Sequence, residues 1–343
     1  MKIAESILEW YGENGRKMPW RETRNPYKIW ISEVILQQTR IAQGTNYYHR
    51  FIARFPDISS LANAELDEVL KYWEGLGYYS RARNLHTAAK QLMSEYNGKF
   101  PEDYREIIKL KGLGKYSARA VGSFAFDNPV GVIDGNVLRV MSRVLNDFSP
   151  VDVVATLTHF QAITDSWVQG FPSAPFNHGM MDIGSVICTP TKPSCLICPL
   201  EKDCLSQKAG SQALLPVKAK KRQRETRYFH FYWIEQNGEV AILRRPEKGL
   251  WGGLYEIPNE EVSLAEWETG KSSKESAEKA MTFKHVFTHF DMHIQVFKIK
   301  EKNDWENPFF VPQSALSIYA FPKAVLKMIE KIGGKGAGKG VGK

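Results

Sequence analysis

Over about the first 205 residues, apolar side chains recur at intervals of three and four, in segments such as IWISEVILQ, LDEVLKYWEGL and GNVLRVMSRVL. This spacing puts the apolar side chains on one face of a helix. Strand-like alternation is scarce in the same region. We therefore predict that residues 1–205 form a mainly α region.

The pattern changes in the second part of the chain. Residues 206–227 end in the basic stretch LPVKAKKRQRETR, which predicts either a solvated connector or a segment that contacts DNA. Beyond it, Asn237 and Gly238 lie between two β-prone runs, a strong hairpin signal. With the strand-rich segment KHVFTHFDMHIQVFKIK, this predicts an α+β domain over 228–331. The Gly and Lys residues of 332–343 predict a disordered tail.

Charge narrows the kind of partner that we expect. Lys and Arg number 46 against 38 Asp and Glu, a formal net charge of +8, which favours a polyanion such as nucleic acid. No apolar run approaches the roughly 18 residues of a membrane span, and the N-terminal segment lacks the features of a signal peptide. We therefore expect a cytoplasmic protein without a membrane partner.

All four cysteines fall in one short window, with the spacing Cys-x6-Cys-x2-Cys-x5-Cys. Thiolates this close in sequence are typical of a metal site in a reducing compartment. A four-iron four-sulfur cluster takes four such ligands, and structural zinc or unligated core thiols are the alternatives. The predicted ligands of this cluster loop, 188–204, are Cys188, Cys195, Cys198 and Cys204.

A glycine turn, KGLGKYSA, lies between two helix-like segments. Backbone amides at the start of the second helix would suit a phosphate of duplex DNA, so we predict that Gly112 and Gly114 contact the DNA backbone. A plain helix–helix turn is the alternative. The dinucleotide fingerprint fits poorly, because a helix and not a strand precedes the turn. A similar turn, GLGYYSRAR, occurs at 75–83.

Two carboxylates stand out by their surroundings. Glu33 interrupts the apolar segment IWISEVILQQT, where burial beside an aromatic side chain would raise its pKa and suit it to general acid catalysis. An exposed helical Glu is the alternative. Asp134 comes directly before a predicted helix and fits an N-cap. A capping carboxylate at the edge of a pocket could also face a developing cation.

Four segments together, WISEVILQQT, LKGLGKYSARAVGSFAF, VIDGNVLRVMSR and CTPTKPSCLICPLEKDC, resemble the MutY-type adenine DNA glycosylases of the helix-hairpin-helix superfamily. The resemblance runs from about Ile3 to Cys204 and resumes in the C-terminal domain, which looks like the Nudix-related domain of that family. It implies an enzyme that flips out adenine opposite 8-oxoguanine or guanine in duplex DNA and cleaves its glycosidic bond. It also implies a four-iron four-sulfur cluster. We expect this enzyme to be a monomer.

The resemblance assigns catalytic roles to four positions. Glu33 matches the acid that protonates adenine at N7, and Asp134 matches the carboxylate that stabilises or adds to the sugar cation. Tyr116 and Asn136 match residues that support this pair. The logic is that of glycoside cleavage with two carboxyl groups.

Other positions match contacts to DNA and bases. The family pattern suggests that Trp20 and Arg21 line the adenine pocket. It places four residues around 8-oxoguanine, with the tyrosine as the intercalating aromatic: Gln38, Thr39, Leu76 and Tyr78.

Two positions depart from the family pattern. In the segment VFTHF, Phe287, Thr288 and His289 correspond to a Phe-Ser-His motif that reads 8-oxoguanine, with Thr in place of Ser. The hydroxyl is kept and a methyl is added. His178 stands where relatives carry Glu or Gln near the adenine.

Three other functions make different demands on the sequence. A bifunctional glycosylase with lyase activity, as in endonuclease III, needs a lysine amine where this chain has Tyr116, and Lys115 is one residue out of register. We therefore expect a monofunctional enzyme. An active Nudix hydrolase needs a metal-binding Glu pattern that GLWGGLYEIPNEEVSLAEWE lacks, so we expect a binding module. A noncatalytic iron–sulfur DNA binder would need neither Glu33 nor Asp134.

Overall fold

The computed structural model describes residues 2–219, 224–272, 274, 276–299, 305 and 308–333. The chain divides into two compact units, which we call the helical unit (1–63 and 87–221) and the sheet unit (64–86 and 222–343). Among the described residues, none of the helices combines the length and apolar character needed to cross a bilayer.

The helices alternate with short loops throughout the first 209 residues. Fourteen α-helices occur in the described residues: α1 Lys2–Asn14, α2 Pro26–Leu36, α3 Ile41–Arg54, α4 Ile58–Ala62, α5 Leu66–Trp73, α6 Ser80–Glu95, α7 Tyr104–Ile107, α8 Lys115–Phe126, α9 Gly135–Leu145, α10 Val154–Val168, α11 Ser173–Asp182, α12 Leu205–Ala209, α13 Leu264–Thr269 and α14 Lys323–Ile332. A π-helical turn, Ile183–Ile187, extends α11 toward the first cysteine.

The core of the helical unit forms where α1, α9, α10 and α11 meet. Its buried apolar side chains are contributed by all four helices, as the three- and four-residue spacing predicts: Ile7, Val140, Met141, Phe160, Phe176 and Met180. Helix α2 is different, because nearly every side chain from Tyr27 to Ile35 is buried. The Asn25 side chain caps this helix by accepting hydrogen bonds from two backbone amides, and Pro26 occupies its first position.

The predicted connector is partly folded. Helix α12 and a 3₁₀ turn, Gln212–Leu214, occupy its first half. Leu215 is buried, and the Val151 amide donates to the Val217 carbonyl at 3.0 Å. Residues 220–223 lie outside the described residues. The first strand of the sheet unit begins at Glu225, three residues before the predicted domain start.

The sheet unit contains a mixed sheet in the order β3-β2-β1-β6-β5, in which β4 also pairs with β1 and β7 with β2. Its strands are β1 Glu225–Gln236, β2 Glu239–Arg244, β3 Tyr255–Glu256, β4 Asn259–Val262, β5 Glu278–Val286, β6 Phe290–Ile299 and β7 Phe309–Pro312. Strands β1 and β6 run parallel, with Tyr228 opposite His293. The predicted hairpin is confirmed, because Asn237 and Gly238 both have positive φ and Gln236 pairs with Glu239.

Residues 64–86, which carry the first glycine turn, belong to the sheet unit. The Tyr79 hydroxyl donates to the Phe321 carbonyl at 3.0 Å, and the Phe321 amide donates to the Glu74 carboxylate at 2.9 Å. Helix α14 includes Ile332, the first residue of the predicted tail. Residues 334–343 of that tail lie outside the described residues. The predicted fold class, a mainly α region followed by an α+β domain, is confirmed.

Candidate active site in the helical unit

A cavity of about 780 Å³ in the helical unit brings together most of the predicted site residues. It is lined from the loop after α1, from α2 and the turn behind it, from the second glycine turn, and from the starts of α8 and α9. The predicted residues that line it are Trp20, Arg21, Glu33, Gln38, Thr39, Gly112, Gly114, Tyr116, Asp134, Asn136 and His178.

Glu33 is buried at the wall of this cavity, with 9% of its surface exposed. Burial raises the pKa of its carboxyl from 4.5 to about 7, and the nearby Asp134 charge acts in the same direction. The Tyr116 hydroxyl donates to Glu33 Oε2 at 2.8 Å, which opposes the rise by stabilising the carboxylate. The expected upward shift is confirmed, and Glu33 can hold its proton near neutral pH.

Asp134 is the N-cap of α9, as predicted. Its Oδ1 accepts the backbone amides of Asn136 at 2.8 Å and Val137 at 2.7 Å, and its Oδ2 accepts Asn136 Nδ2 at 3.0 Å. Three donors therefore hold this carboxylate at the cavity wall, across from a second carboxyl group that can be protonated. A general acid and an anion in one cavity are the two groups that cleavage of a glycosidic bond requires.

Asn136 also links this carboxylate to the cysteine loop. Its Oδ1 accepts Arg139 Nη2 at 2.9 Å, and Arg139 Nε donates to the Cys188 carbonyl at 2.7 Å. One turn further along α9, the buried Arg143 donates to Cys188 Sγ at 3.3 Å and to the Thr189 carbonyl at 2.8 Å. Helix α9 therefore positions the Asp134 carboxylate at its start and contacts Cys188 from its middle.

All four cysteines line a second, smaller cavity, together with Arg143 and residues of α9 and α12. They are free thiols of intermediate exposure. Within the described part of the chain, no three His, Cys, Asp or Glu side chains are grouped around a single ion position. Four thiols around one cavity, with a guanidinium against one sulfur, are a donor set that suits an anionic thiolate-ligated cluster.

Arg21 lines the same cavity as Glu33, but its guanidinium forms an ion pair with an acidic side chain. It pairs with both carboxylate oxygens of the fully buried Asp182, at 2.8 and 3.0 Å. The backbone amide of Arg16 donates to the same carboxylate at 3.0 Å, and the Arg16 guanidinium pairs with it as well. These donors lower the pKa of Asp182 although burial opposes them. The loop after α1 is thereby fixed to α11, and Trp20 is held edge-on to Tyr48, with ring centroids 5.2 Å apart.

The second glycine turn, 112–114, leads directly into helix α8. Gly112 has a φ of 78°, a left-handed conformation that favours glycine, whereas Gly114 has a φ of −76° and is the N-cap of α8. Gly114 and Lys115 are exposed and line the cavity. The first amides of α8 are therefore available to an anion at the rim of the cavity.

The remaining predicted contacts lie in the sheet unit. Tyr78 has a φ of 48°, and 45% of its surface is exposed, whereas Leu76 is buried. The loop between β5 and β6 presents Thr288 and His289 to solvent, while Phe287 stacks on Phe290 with ring centroids 4.4 Å apart.

Two segments of the chain match known families: residues 31–149 the HhH-GPD superfamily of base excision DNA repair proteins, and residues 230–331 the NUDIX domain. The adenine DNA glycosylase of Buchnera aphidicola subsp. Schizaphis graminum is 35% identical over 297 residues, which cover 85% of this chain and 86% of that protein. The chain belongs to the adenine DNA glycosylase family.

Solved structures share the fold over part of the chain. A thermostable thymine-DNA glycosylase is 28% identical, covers 60% of this chain and 95% of its own, and superposes with a TM-score of 0.56. A trapped endonuclease III–DNA covalent intermediate shares the fold, with 24% identity, 60% and 94% coverage and a TM-score of 0.52. As a member of the adenine DNA glycosylase family, the chain is an enzyme that hydrolyses N-glycosyl bonds.

Several residues at this glycosylase's cavity were not predicted. Gln37 lines it and donates from Nε2 to Ser117 Oγ at 3.2 Å, and the Asp182 ion pairs hold one wall. Asp182 could have been recognised from the sequence, because it is an acid within an apolar stretch, as Glu33 is. Tyr11 could not, because its place beside His178 depends on the packing of α1 against α11.

Proposed function

We propose that this chain removes adenine from duplex DNA when the adenine lies opposite 8-oxoguanine or guanine, and that it leaves the strand intact. The observation that carries the proposal is the buried Glu33, hydrogen bonded to Tyr116, in the same cavity as the capped Asp134. Both groups lie in a pocket that a base inside a duplex cannot reach. The adenine must therefore be flipped out, at the expense of a few kcal/mol that a mispair reduces.

Glu33 acts as the general acid in this proposal. Adenine leaves poorly as an anion, so a proton on its ring lowers the barrier most. A carboxyl group with a pKa of about 7 is protonated in a large fraction of molecules at neutral pH and is still acidic enough to give up the proton. Assistance of this kind contributes about 10²–10⁴-fold.

Asp134 stabilises the sugar cation that forms as the base departs. Its carboxylate is oriented by the amides of Asn136 and Val137, so it needs no rearrangement as charge develops. Asn136 holds the second oxygen of the same carboxylate. Asn136 and Tyr116 thus support one carboxyl group each.

The absence of strand cleavage rests on the position of Tyr116. Lyase chemistry requires an amine that attacks the sugar, and the residue that points its functional group at Glu33 is a phenol. Lys115 is nearby, exposed at the rim of the cavity. We test its role by borohydride trapping on mispair DNA, which we expect to be inefficient. Efficient trapping that Lys115→Ala abolishes would favour the bifunctional alternative.

The four cysteines would hold a four-iron four-sulfur cluster, which would fix the loop 188–204 and carry no part of the hydrolysis. Arg143 supplies a donor to Cys188 Sγ. We expect a brown protein with broad visible absorption and about four iron atoms per chain. Zinc without iron in elemental analysis would support the structural zinc alternative.

The sheet unit would read the base opposite the adenine. Its loop with Phe287, Thr288 and His289 offers a hydroxyl and an imidazole to solvent, and the Thr288 hydroxyl lies 3.5 Å from His289 Nδ1. On β3, Glu256 forms an ion pair with Arg245. We expect this unit to bind and not to hydrolyse nucleotides, which an assay with oxidised nucleoside triphosphates checks.

The experiment that tests the proposal is a single-turnover assay of adenine release on duplexes that differ only in the base opposite the adenine. We expect release opposite 8-oxoguanine and guanine, and little opposite thymine. Strand cleavage should require alkali. Equal release from all duplexes, or cleavage without alkali, would contradict the proposal.

A further inference from the structure

A tryptophan in the sheet unit has a backbone conformation that is rare for so large a side chain. Trp251 has a φ of 55°, in the left-handed region, and it is the largest of the described non-glycine residues with a positive φ. A bulky residue stays in this strained conformation only where surrounding contacts hold it, and such places are often functional. The contacts of Trp251 therefore point to what it does.

The turn that carries Trp251, residues 249–253, has little conformational freedom. The guanidinium of Arg83, on α6, donates to the Gly252 carbonyl. The backbone at Gly252 is so close to the preceding chain that a Cβ there would lie 2.2 Å from the Glu247 carbonyl oxygen, so only glycine fits. The backbone of the turn is thus fixed, and with it the direction of the Trp251 side chain.

The Trp251 ring packs against the loop 287–289, between β5 and β6. Its centroid lies 5.9 Å from that of Phe287 and 6.5 Å from that of His285. Phe287 also stacks on the buried Phe290, with the two ring planes 12° from parallel. Phe287 is therefore held both by the turn that carries Trp251 and by the core of the sheet unit.

The orientation of the loop tip depends on Phe287. The Phe287 amide donates to the Phe290 carbonyl at 2.9 Å, so Thr288 and His289 are the two central residues of a tight hairpin turn. Both are exposed. Guanine presents an N7 acceptor, where 8-oxoguanine presents an N7–H donor and an O8 acceptor. A hydroxyl and an imidazole can distinguish these two edges only if the loop holds them in one orientation.

We propose that Trp251 is a positioning residue for recognition of the base opposite the adenine. Through Phe287, it holds Thr288 and His289 in the orientation that distinguishes 8-oxoguanine from guanine. This inference rests on the proposed function, in which the sheet unit reads that base. A loop that is already ordered loses less conformational entropy on binding, so its contacts contribute more to affinity. Trp251 acts through Phe287 and not by contact with DNA.

The test measures how strongly the protein prefers one opposing base. Dissociation constants are determined for duplexes that carry 2′-fluoro-2′-deoxyadenosine, an analogue that resists cleavage of the glycosidic bond, opposite 8-oxoguanine or guanine. Trp251→Asn removes the ring and keeps a residue that tolerates a positive φ, whereas Trp251→Phe keeps an aromatic ring. We expect the preference for 8-oxoguanine to fall about tenfold in Trp251→Asn, the effect of one lost hydrogen bond, and to persist in Trp251→Phe.

A second variant and a matched control separate positioning from stability. Phe287→Leu leaves the turn 249–253 unchanged and should cause a similar fall in the preference. The control is Trp267→Asn. The Trp267 ring packs on Tyr228 and His293, with centroids 5.3 and 5.6 Å apart, on the opposite face of the same sheet. This variant should lower the melting temperature and leave the preference unchanged.

The results that would contradict the inference are specific. An unchanged preference in Trp251→Asn or in Phe287→Leu would overturn it, as would an equal fall in the control Trp267→Asn. Failure of the proposed function would be seen in wild type, which would bind the two duplexes with equal affinity. The sheet unit would then not read the opposing base, and its proposed function would be refuted together with the inference.

Discussion

Two turns with nearly the same sequence, GLGYYS at 75–80 and GLGKYS at 112–117, have different backbones. In the first, Gly75 and Gly77 have φ values of 93° and 73°, and Tyr78 follows at 48°. Helix α6 therefore starts only at Ser80. In the second, Gly114 has an extended N-cap conformation, and α8 starts at the next residue. The first turn thus presents an exposed aromatic ring, and the second presents helix amides.

The tyrosine in the fifth position of each turn also differs in its partner. Tyr79 donates to the backbone carbonyl of Phe321, within the sheet unit. Tyr116 donates to the carboxylate of Glu33, at the cavity of the helical unit. The same residue in the same local sequence is structural in one place and part of the site in the other. What decides its role is the group that the fold brings to its hydroxyl.

The largest expected effect comes from removing the partner of Tyr116. Glu33→Gln keeps the shape of the side chain but loses the proton donor, so single-turnover adenine release should fall by about 10²–10⁴-fold. Mispair binding, measured by a gel-shift assay, should persist. Full activity in this variant would contradict the view that Tyr116, unlike Tyr79, contacts a group that the reaction needs.

The same variant has an opposite effect on stability. The pKa of Glu33 is higher in the folded chain, about 7 against 4.5, so the folded state binds more protons than the unfolded state between these values. Stability from this group is therefore lost as pH rises through that window. Glu33→Gln should unfold at a higher temperature than wild type above pH 7, which thermal melts check.

The residue that directly follows the second glycine of each turn gives the next effect. Tyr78→Ala should weaken binding to mispair DNA by about 1–3 kcal/mol, the usual contribution of a base stacked on an aromatic ring. Lys115→Ala, its counterpart, should only reduce the slope of log affinity against log salt by about 0.9. Titrations at several salt concentrations distinguish the two. Equal effects of both variants at every salt concentration would contradict the comparison.

Removing one hydroxyl at a time compares the two tyrosines directly. Tyr116→Phe should slow adenine release about tenfold, because it removes one hydrogen bond to the acid. Tyr79→Phe should leave the rate unchanged and lower the free energy of unfolding by about 1 kcal/mol. Single-turnover rates and urea unfolding report the two quantities. A slower rate in Tyr79→Phe with unchanged stability would contradict the assignment.

The smallest effect concerns the backbone. A Cβ meets no atom within 4 Å at Gly77 or at Gly114, so only the backbone conformation distinguishes them. Gly77→Ala places a side chain at a positive φ and should lower stability by about 1–2 kcal/mol. Gly114→Ala should leave stability nearly unchanged. Equal losses in urea unfolding would show that the two turns share one backbone conformation.

The site residues that could be predicted from the sequence are those whose role depends on their neighbours in the chain. Asp134 precedes a helix that needs a cap, and Glu33 interrupts an apolar helix, so both could be recognised from their neighbours in the chain. The Asn237–Gly238 hairpin is local in the same sense. Each of these predictions depends on residues only a few positions apart.

What the sequence could not predict depends on distant partners. Arg21 and Asp182 are 161 positions apart, and no local pattern pairs them. The packing of residues 64–86 with the sheet unit is equally non-local, because Tyr79 and Phe321 are 242 positions apart. The two glycine turns are alike in sequence, and tertiary contacts give their tyrosines different partners.

The most direct test of the central claim, that burial lets Glu33 supply the proton to adenine, is the pH dependence of single-turnover release in wild type and Tyr116→Phe. The wild-type rate should fall as pH rises through about 7, because only the protonated carboxyl is active. Tyr116→Phe should move this midpoint upward, since it removes a hydrogen bond that lowers the pKa of Glu33. A rate that stays constant through neutral pH in wild type, or a midpoint that Tyr116→Phe moves downward, would contradict the account.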